Sequence, residues 1–109
     1  MGESGFSDRV DATLARIEAA LEKLADDAES DPVRAGNVLT FAFENGHRIV
    51  VNSQAAAEEI WVAARSGGFH YRWDEATQRW VDTRSGAELF AALSRLVEIE
   101  LVVPVTLAS

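Results

Sequence analysis

At 109 residues, with 48% apolar and 26% charged side chains, the chain has the composition of a single soluble globular domain with room for one core. It has no cysteine, which excludes disulfides, thiolate metal sites and a cysteine nucleophile, and no apolar run is long enough to span a bilayer. Of its formal net charge of −8, residues 1–31 carry −6 (nine acids against three bases), an asymmetry that disfavours nucleic acid and favours cations or a basic protein surface as partners.

The N-terminal residues MGESGFSDRVDAT lack the charged-then-apolar pattern of a secretory signal and the arginine richness of a transit peptide, so a cytoplasmic protein is expected. Phe6, Val10, Leu14, Ile17, Leu21 and Leu24 then recur at helical spacing. They predict a first helix from roughly Ser7 to Ala25, with Ser4 or Ser7 as its cap. On a wheel of about 100° per residue with Asp11 at the origin, Glu18 falls at about −20°, Glu22 at about +20° and Asp26 near +60°. The apolar stripe centres roughly 100° away, so these four acids form a solvent-facing ridge, which Asp27, Glu29 and Asp31 prolong. Like charges on one stripe repel, and acids near a helix C-terminus oppose its dipole. A charge run is ordinarily just a solvated face. A hard or borderline cation held by carboxylate oxygens, or a basic docking surface, would give this one a purpose.

Pro32 cannot donate to a strand ladder, so any strand near Val33 is expected at a sheet edge or to start late. Alternating stretches follow at about Val38–Phe43, Arg48–Asn52, Ile60–Ala64, Phe69–Trp73 and Arg79–Asp82. Between the first two, a three-residue loop Glu44-Asn45-Gly46 with left-handed Gly46 sets Phe41 against Ile49 and Leu39 against Val51. This register keeps one face apolar and leaves Thr40, Arg48, Val50, Asn52 and Gln54 on the other. Ile60, Val62 and Ala64 point inward, so Trp61 points outward, and His70 shares its face because Phe69 and Tyr71 point in. An exposed indole beside Asn52 and Gln54 is a candidate anchor for a partner, set against the plainer role of a packing residue covered by long neighbours. As lone histidines, His70 and His47, the latter in the hairpin loop beside Glu44, are each expected to be surface hydrogen-bonding residues and not ligands.

Residues 54–59 (QAAAEE) fit a helical turn between two strands, and Asp74–Gln78 a polar hairpin tip. Ser85-Gly86-Ala87-Glu88 reads as a capping box opening a second helix with Leu89, Phe90, Leu93 and Leu96 as its buried stripe. Leu101–Val105 suggests a short terminal strand or a tail packed on the core. Trp73 and Trp80 are expected in the core or at its edge. The order helix, antiparallel meander, helix predicts an α+β two-layer sandwich with both helices on one face of an antiparallel sheet and the other face wet. No serine has a plausible histidine and acid partner, so no catalytic constellation is expected.

In this order and spacing, VLTFAFENG, the Asn52-x-Gln54 pair, IWVAA followed by Ser66-Gly67-Gly68-Phe69-His70-Tyr71, and Trp80-x-Asp82-x-Arg84-Ser85-Gly86 resemble the frataxin family, most closely its bacterial CyaY-type members. The resemblance covers nearly the whole of residues 1–109 as one domain and is weakest after Val97. It implies a non-enzymatic, iron-binding protein of iron–sulfur cluster assembly, acting as iron donor, as regulator of a cysteine desulfurase, or both. The alternative is a protein-interaction module whose acidic face docks on basic partners and whose metal binding is incidental. Under the resemblance, weakly held iron, ferrous or ferric, falls to Glu18, Glu22, Asp26, Asp27, Glu29 and Asp31. The ridge of Asp11, Glu18 and Glu22 docks the desulfurase, and Asn52, Gln54, Trp61 and His70 meet the iron–sulfur scaffold protein. Lys23, Ala25 and Val33 stand where bacterial members often carry acids, so the ridge is thinner here. The implied state is a monomer, with iron-dependent oligomers as a further form.

Overall fold

A computed structural model describes residues 3–24, 31–101 and 107 of the chain. Its elements, in order, are α1 (Glu3–Glu22), β1 (Val33–Ala35), β2 (Val38–Ala42), β3 (Arg48–Gln54), β4 (Glu59–Ala64), β5 (Gly67–Asp74), β6 (Arg79–Asp82) and α2 (Leu89–Leu101). The six strands form one antiparallel meander in chain order, β1 to β6. Both helices cover one face of it, and Phe6, Leu14 and Ile17 of α1 share a single core with Leu89, Leu93 and Val97 of α2 and with Leu39, Phe41, Val51, Ile60 and Tyr71 of the sheet. This is the two-layer sandwich expected from the pattern.

Helix α1 forms because Phe6, Val10, Leu14, Ile17 and Leu21 repeat every three or four residues and bury together. It begins at Glu3, a turn earlier than expected, so Ser4 and Ser7 lie inside it and neither is its cap. Burial of Phe6 against Trp80 (rings 6.2 Å apart, 77° between planes) draws that first turn into the fold. The expected end near Ala25 lies outside the described residues, and α1 closes at Glu22 with a turn in which Leu24 N–H donates to Leu21 O at 2.9 Å.

The β2–β3 hairpin has the expected register, Phe41 opposite Ile49 and Leu39 opposite Val51. Phe43 N–H donates to His47 O at 2.8 Å to close the loop, and Gly46 takes φ 90°, a conformation that disfavours any side chain. The next connection, Ala55–Glu58, is a single tight turn held by Ala57 N–H to Gln54 O and Glu58 N–H to Ala55 O. Strands β3, β4 and β5 run longer than the alternation suggested, reaching Gln54, Glu59 and Asp74. Strand β1, preceded by Pro32, is an edge strand with Val33 63% exposed.

The second helix opens later than the predicted capping box. Ser85 Oγ accepts only from Ala87 N–H (3.2 Å), within the turn, whereas the Glu88 carboxylate accepts from Phe90 N–H (2.8 Å) and Ala91 N–H (3.1 Å). Glu88 therefore satisfies the orphan donors of the first turn. Residues 82–87 are held back against the sheet by Asp82 N–H to Ala87 O and Gly86 N–H to Asp82 O. The buried stripe of α2 is Leu89, Phe90, Leu93 and Val97, with Leu96 only half-buried, because Val97 rather than Leu96 continues the four-residue repeat from Leu89 and Leu93. The predicted terminal strand falls mostly outside the described residues. Leu107 is buried on the core and its N–H donates to Ser94 Oγ at 2.9 Å.

Candidate functional site

The sheet face away from the helices carries the residues expected there. Pairing places Asn52, Trp61 and His70 directly opposite one another across β3, β4 and β5. The adjacent rung is Gln54, Glu59 and Arg72. Period-two alternation puts both rungs on the outer face, since Val51, Ile60, Val62 and Tyr71 are buried on the inner one. Thr40 and Val50 are half-buried and Arg48 is exposed on the same side.

Trp61 points outward as expected, but its ring is half-buried rather than fully exposed. The His70 imidazole lies flat on it, ring centres 4.2 Å apart and planes within 8°. Its Nε1–H donates to Glu59 Oε1 at 2.8 Å. Glu59, which the alternation rule places on the Trp61 face but which sequence reasoning overlooked, has a side chain only 9% exposed. Its second oxygen accepts from Arg72 Nη2 at 2.8 Å, and His70 Nδ1 lies 3.6 Å from Oε1. The Trp61 hydrogen bond, followed by the hydrogen bond and charge of Arg72 and the charge of His70, outweighs burial and holds the Glu59 carboxyl below its ordinary value.

On the other side of the molecule, Asp11 and Glu22 are exposed and Glu18 is half-buried on α1, while Asp31 is exposed before β1. Asp26, Asp27 and Glu29 lie outside the described residues. The structure departs from a simple acidic ridge at Asp11. Its Oδ1 accepts from Arg34 Nη2 at 2.8 Å, so that carboxylate already holds a cation and ties α1 to the edge strand. The pairing arises because Arg34, opposite Leu39, sits on the helix-facing side of β1. Among the described residues, no three His, Asp or Glu side chains converge to hold a metal ion.

His47 is the surface hydrogen-bonding residue expected, and its partner is distant in sequence. Its Nδ1 lies 3.0 Å from Glu100 Oε1, and because a carboxylate only accepts, that nitrogen carries the proton. Asn45 Nδ2 donates to the same oxygen at 2.9 Å, with Arg65 at 3.9 Å. An open cleft of about 260 Å³ lies beside His70, lined by Phe69 and residues 82–85. Asp82 Oδ1 there accepts from the N–H groups of Arg84 and Ser85, and Ser85 Oγ from that of Ala87, so both side chains serve the turn.

The sheet order, the two helices on one face and the outward Trp61 rung can now be set beside known proteins. The family model of the frataxin-like domain matches residues 1–102. The chain belongs to the frataxin family. Among bacterial frataxins, the iron–sulfur cluster assembly protein CyaY of Ralstonia nicotianae is 50% identical over 109 residues, spanning 98% of this chain and 95% of its own. The protein of the same name from Cupriavidus pinatubonensis is 56% identical over 99 residues, spanning 89% and 87%. Frataxin from Psychromonas ingrahamii superposes over 100% of both chains with a TM-score of 0.88 at 28% identity. Trimeric frataxin from the yeast Saccharomyces cerevisiae, in its ferrous complex, superposes over 87% of both chains with a TM-score of 0.74 at 26% identity. Among the described residues of this frataxin, no helix is long and apolar enough to cross a membrane.

Proposed function

We propose that this frataxin is an iron-binding, non-enzymatic protein of iron–sulfur cluster assembly, acting as iron donor, as regulator of the cysteine desulfurase, or both. The observation that carries the reading is its match, over nearly the whole chain, to relatives named for that assembly. The two faces of the sandwich give it a mechanism. Glu18, Glu22 and Asp31, with Asp26, Asp27 and Glu29, offer carboxylate oxygens suited to a hard or borderline cation. Without nitrogen or sulfur ligands such sites hold iron weakly, as befits cargo. The same negative field attracts a basic surface of the desulfurase. The scaffold protein meets Asn52, Gln54, Trp61 and His70, with the indole as anchor. The whole chain works as one cytoplasmic domain, a monomer that can assemble further with iron, a form supported by the trimeric yeast frataxin in its ferrous complex.

One observation favours a second reading, in which the acidic face is purely a docking surface. Asp11 is already neutralised by Arg34, and no carboxylate cluster converges among the described residues. Replacing Glu18, Glu22 and Asp27 together by Lys tests both. Fe²⁺ affinity and desulfurase affinity are expected to fall together, and wild-type docking is expected to weaken as salt is added. Unchanged desulfurase affinity in the triple variant, measured by titration calorimetry, overturns the proposal. Docking that is lost in the variant yet indifferent to iron in the wild type selects the second reading. The fold should survive, because like-charge pairs on a helix cost only a few tenths of a kcal/mol each, about the scale of the new repulsions.

A further inference from the structure

Glu59 is a charged residue buried on the wet face of the sheet, whereas Glu100, another carboxylate shielded from water, stands at the end of α2. Taking a carboxylate out of water is unfavourable unless its lone pairs are met. Here they are met by two 2.8 Å donors, the Trp61 indole N–H and the Arg72 guanidinium. An aliphatic residue or a threonine would cover the same strand position at less desolvation cost, so stability of the sheet does not require a carboxylate there. What the carboxylate does is fix the indole. Trp61 is held at its edge by Glu59 and across its face by His70, whose own nitrogen lies 3.6 Å from the same oxygen. The four residues form a square of direct cross-strand pairs, Glu59 with Arg72 and Trp61 with His70.

We infer that Glu59 is a positioning residue for docking on the sheet face, holding the Trp61 ring in one orientation before a partner arrives. The inference rests on the reading that this face binds the iron–sulfur scaffold protein, and it adds how the anchor is prepared. A surface tryptophan with a free N–H samples several rotamers, and the partner must then restrain it on binding. With Glu59 turned inward onto Trp61 and Arg72, the partner meets an immobile aromatic edge flanked by the exposed His70 and Arg72 side chains (49% and 63% exposed) and not by a carboxylate.

The experiment compares Glu59→Ala, Glu59→Gln and Trp61→Ala with wild type. The amide oxygen of the Gln variant can still accept the indole N–H, so this variant is the conservative rescue. The first readout needs no partner. Exchange of the Trp61 indole N–H with solvent, followed by NMR, is expected to rise at least severalfold in Glu59→Ala and to stay near wild type in Glu59→Gln. The second readout is affinity for the scaffold protein, expected to weaken about two- to tenfold in Glu59→Ala and to recover in Glu59→Gln. Unchanged indole exchange and unchanged contacts between the Trp61 and His70 rings in Glu59→Ala overturn the positioning role. So does full scaffold affinity in Glu59→Ala while Trp61→Ala binds weakly. If Trp61→Ala itself binds like wild type, the sheet-face reading has failed, and the docking role of Glu59 falls with it whatever the exchange data show.

Discussion

Trp80→Ala is expected to cost about 3–5 kcal/mol of folding stability, the range for truncating a buried aromatic. Trp80 is 2% exposed and sits between Phe6 and Trp73, its ring 5.5 Å from the latter in an edge-to-face arrangement. Its N–H donates to Thr13 Oγ1 at 2.9 Å, and that hydroxyl in turn donates to Arg9 O at 2.8 Å. The substitution therefore removes apolar burial, two ring contacts and a buried hydrogen bond that joins β6 to the middle of α1. For a chain of this size, that loss corresponds to a fall in Tm of more than about 10 °C. Trp61→Ala is the contrasting case. Its ring is on the outer face, half-covered, and its removal loses one hydrogen bond and one stacked contact, together about 1–2 kcal/mol. Urea denaturation of both variants decides the matter. A Trp61→Ala protein that loses as much stability as Trp80→Ala would place the Trp61 ring in the core, and the docking face would have to be sought elsewhere.

The contrast between the two tryptophans was legible in the chain because it depends on parity alone. Trp61 lies between Ile60 and Val62, so one rule of alternation fixes its side once the hydrophobic face is known. The β2–β3 register was readable for the same reason, with Asn45-Gly46 marking the loop and only one loop length keeping Leu39, Phe41, Ile49 and Val51 together. What could not be read were contacts between residues far apart in sequence. The Arg34 guanidinium reaches Asp11 across 23 positions and removes it from the acidic ridge. Asn45 and His47 reach Glu100 across 55 and 53 positions. No periodicity reports such pairs. The capping box failed differently. Ser85 and Glu88 both had the right local chemistry, and the choice was made by the strand before them, because Val81 bridges Glu88 and holds the intervening turn outside the helix.

The Glu59 and Glu100 sites share a plan. Each is a carboxylate well shielded from water, with side chains 9% and 3% exposed. Glu59 is met by Trp61 of its own strand and Arg72 of the next, and Glu100 by side chains of the two neighbouring turns. Each is paired locally, Glu59 with Arg72 at 2.8 Å and Glu100 with hydrogen-bonded His47 at 3.0 Å and Arg65 at 3.9 Å.

Glu100→Ala is expected to cost about 1–3 kcal/mol, and Glu100→Gln about half of that, from the loss of charge-assisted hydrogen bonds to a shielded carboxylate. Glu100 stands in the last turn of α2, where a negative charge opposes the helix dipole and where no basic residue compensates it. The compensation comes from outside the helix, from Asn45 and His47 of the β2–β3 loop and Arg65 of the β4–β5 turn. Burial, the strongest single influence, pushes the Glu100 carboxyl up. The Asn45 and His47 hydrogen bonds and the charges of His47 and Arg65 together pull it further down, so it ends below the ordinary 4.5. A carboxyl depressed in the folded state stabilises it fully at pH values above the unfolded value. That stabilisation is lost as pH falls from 4.5 through the folded value. The stability difference between wild type and Glu100→Gln should accordingly be present above 4.5 and shrink as pH falls from there through the folded value. Glu59, also held below its ordinary value, is common to both proteins and cancels in the difference. Denaturant midpoints at pH 7, 5, 4 and 3 check this. A difference that stays the same across the series would show that Glu100 acts through its shape and packing at the end of α2, and that the loop donors gathered around it contribute no electrostatic stability.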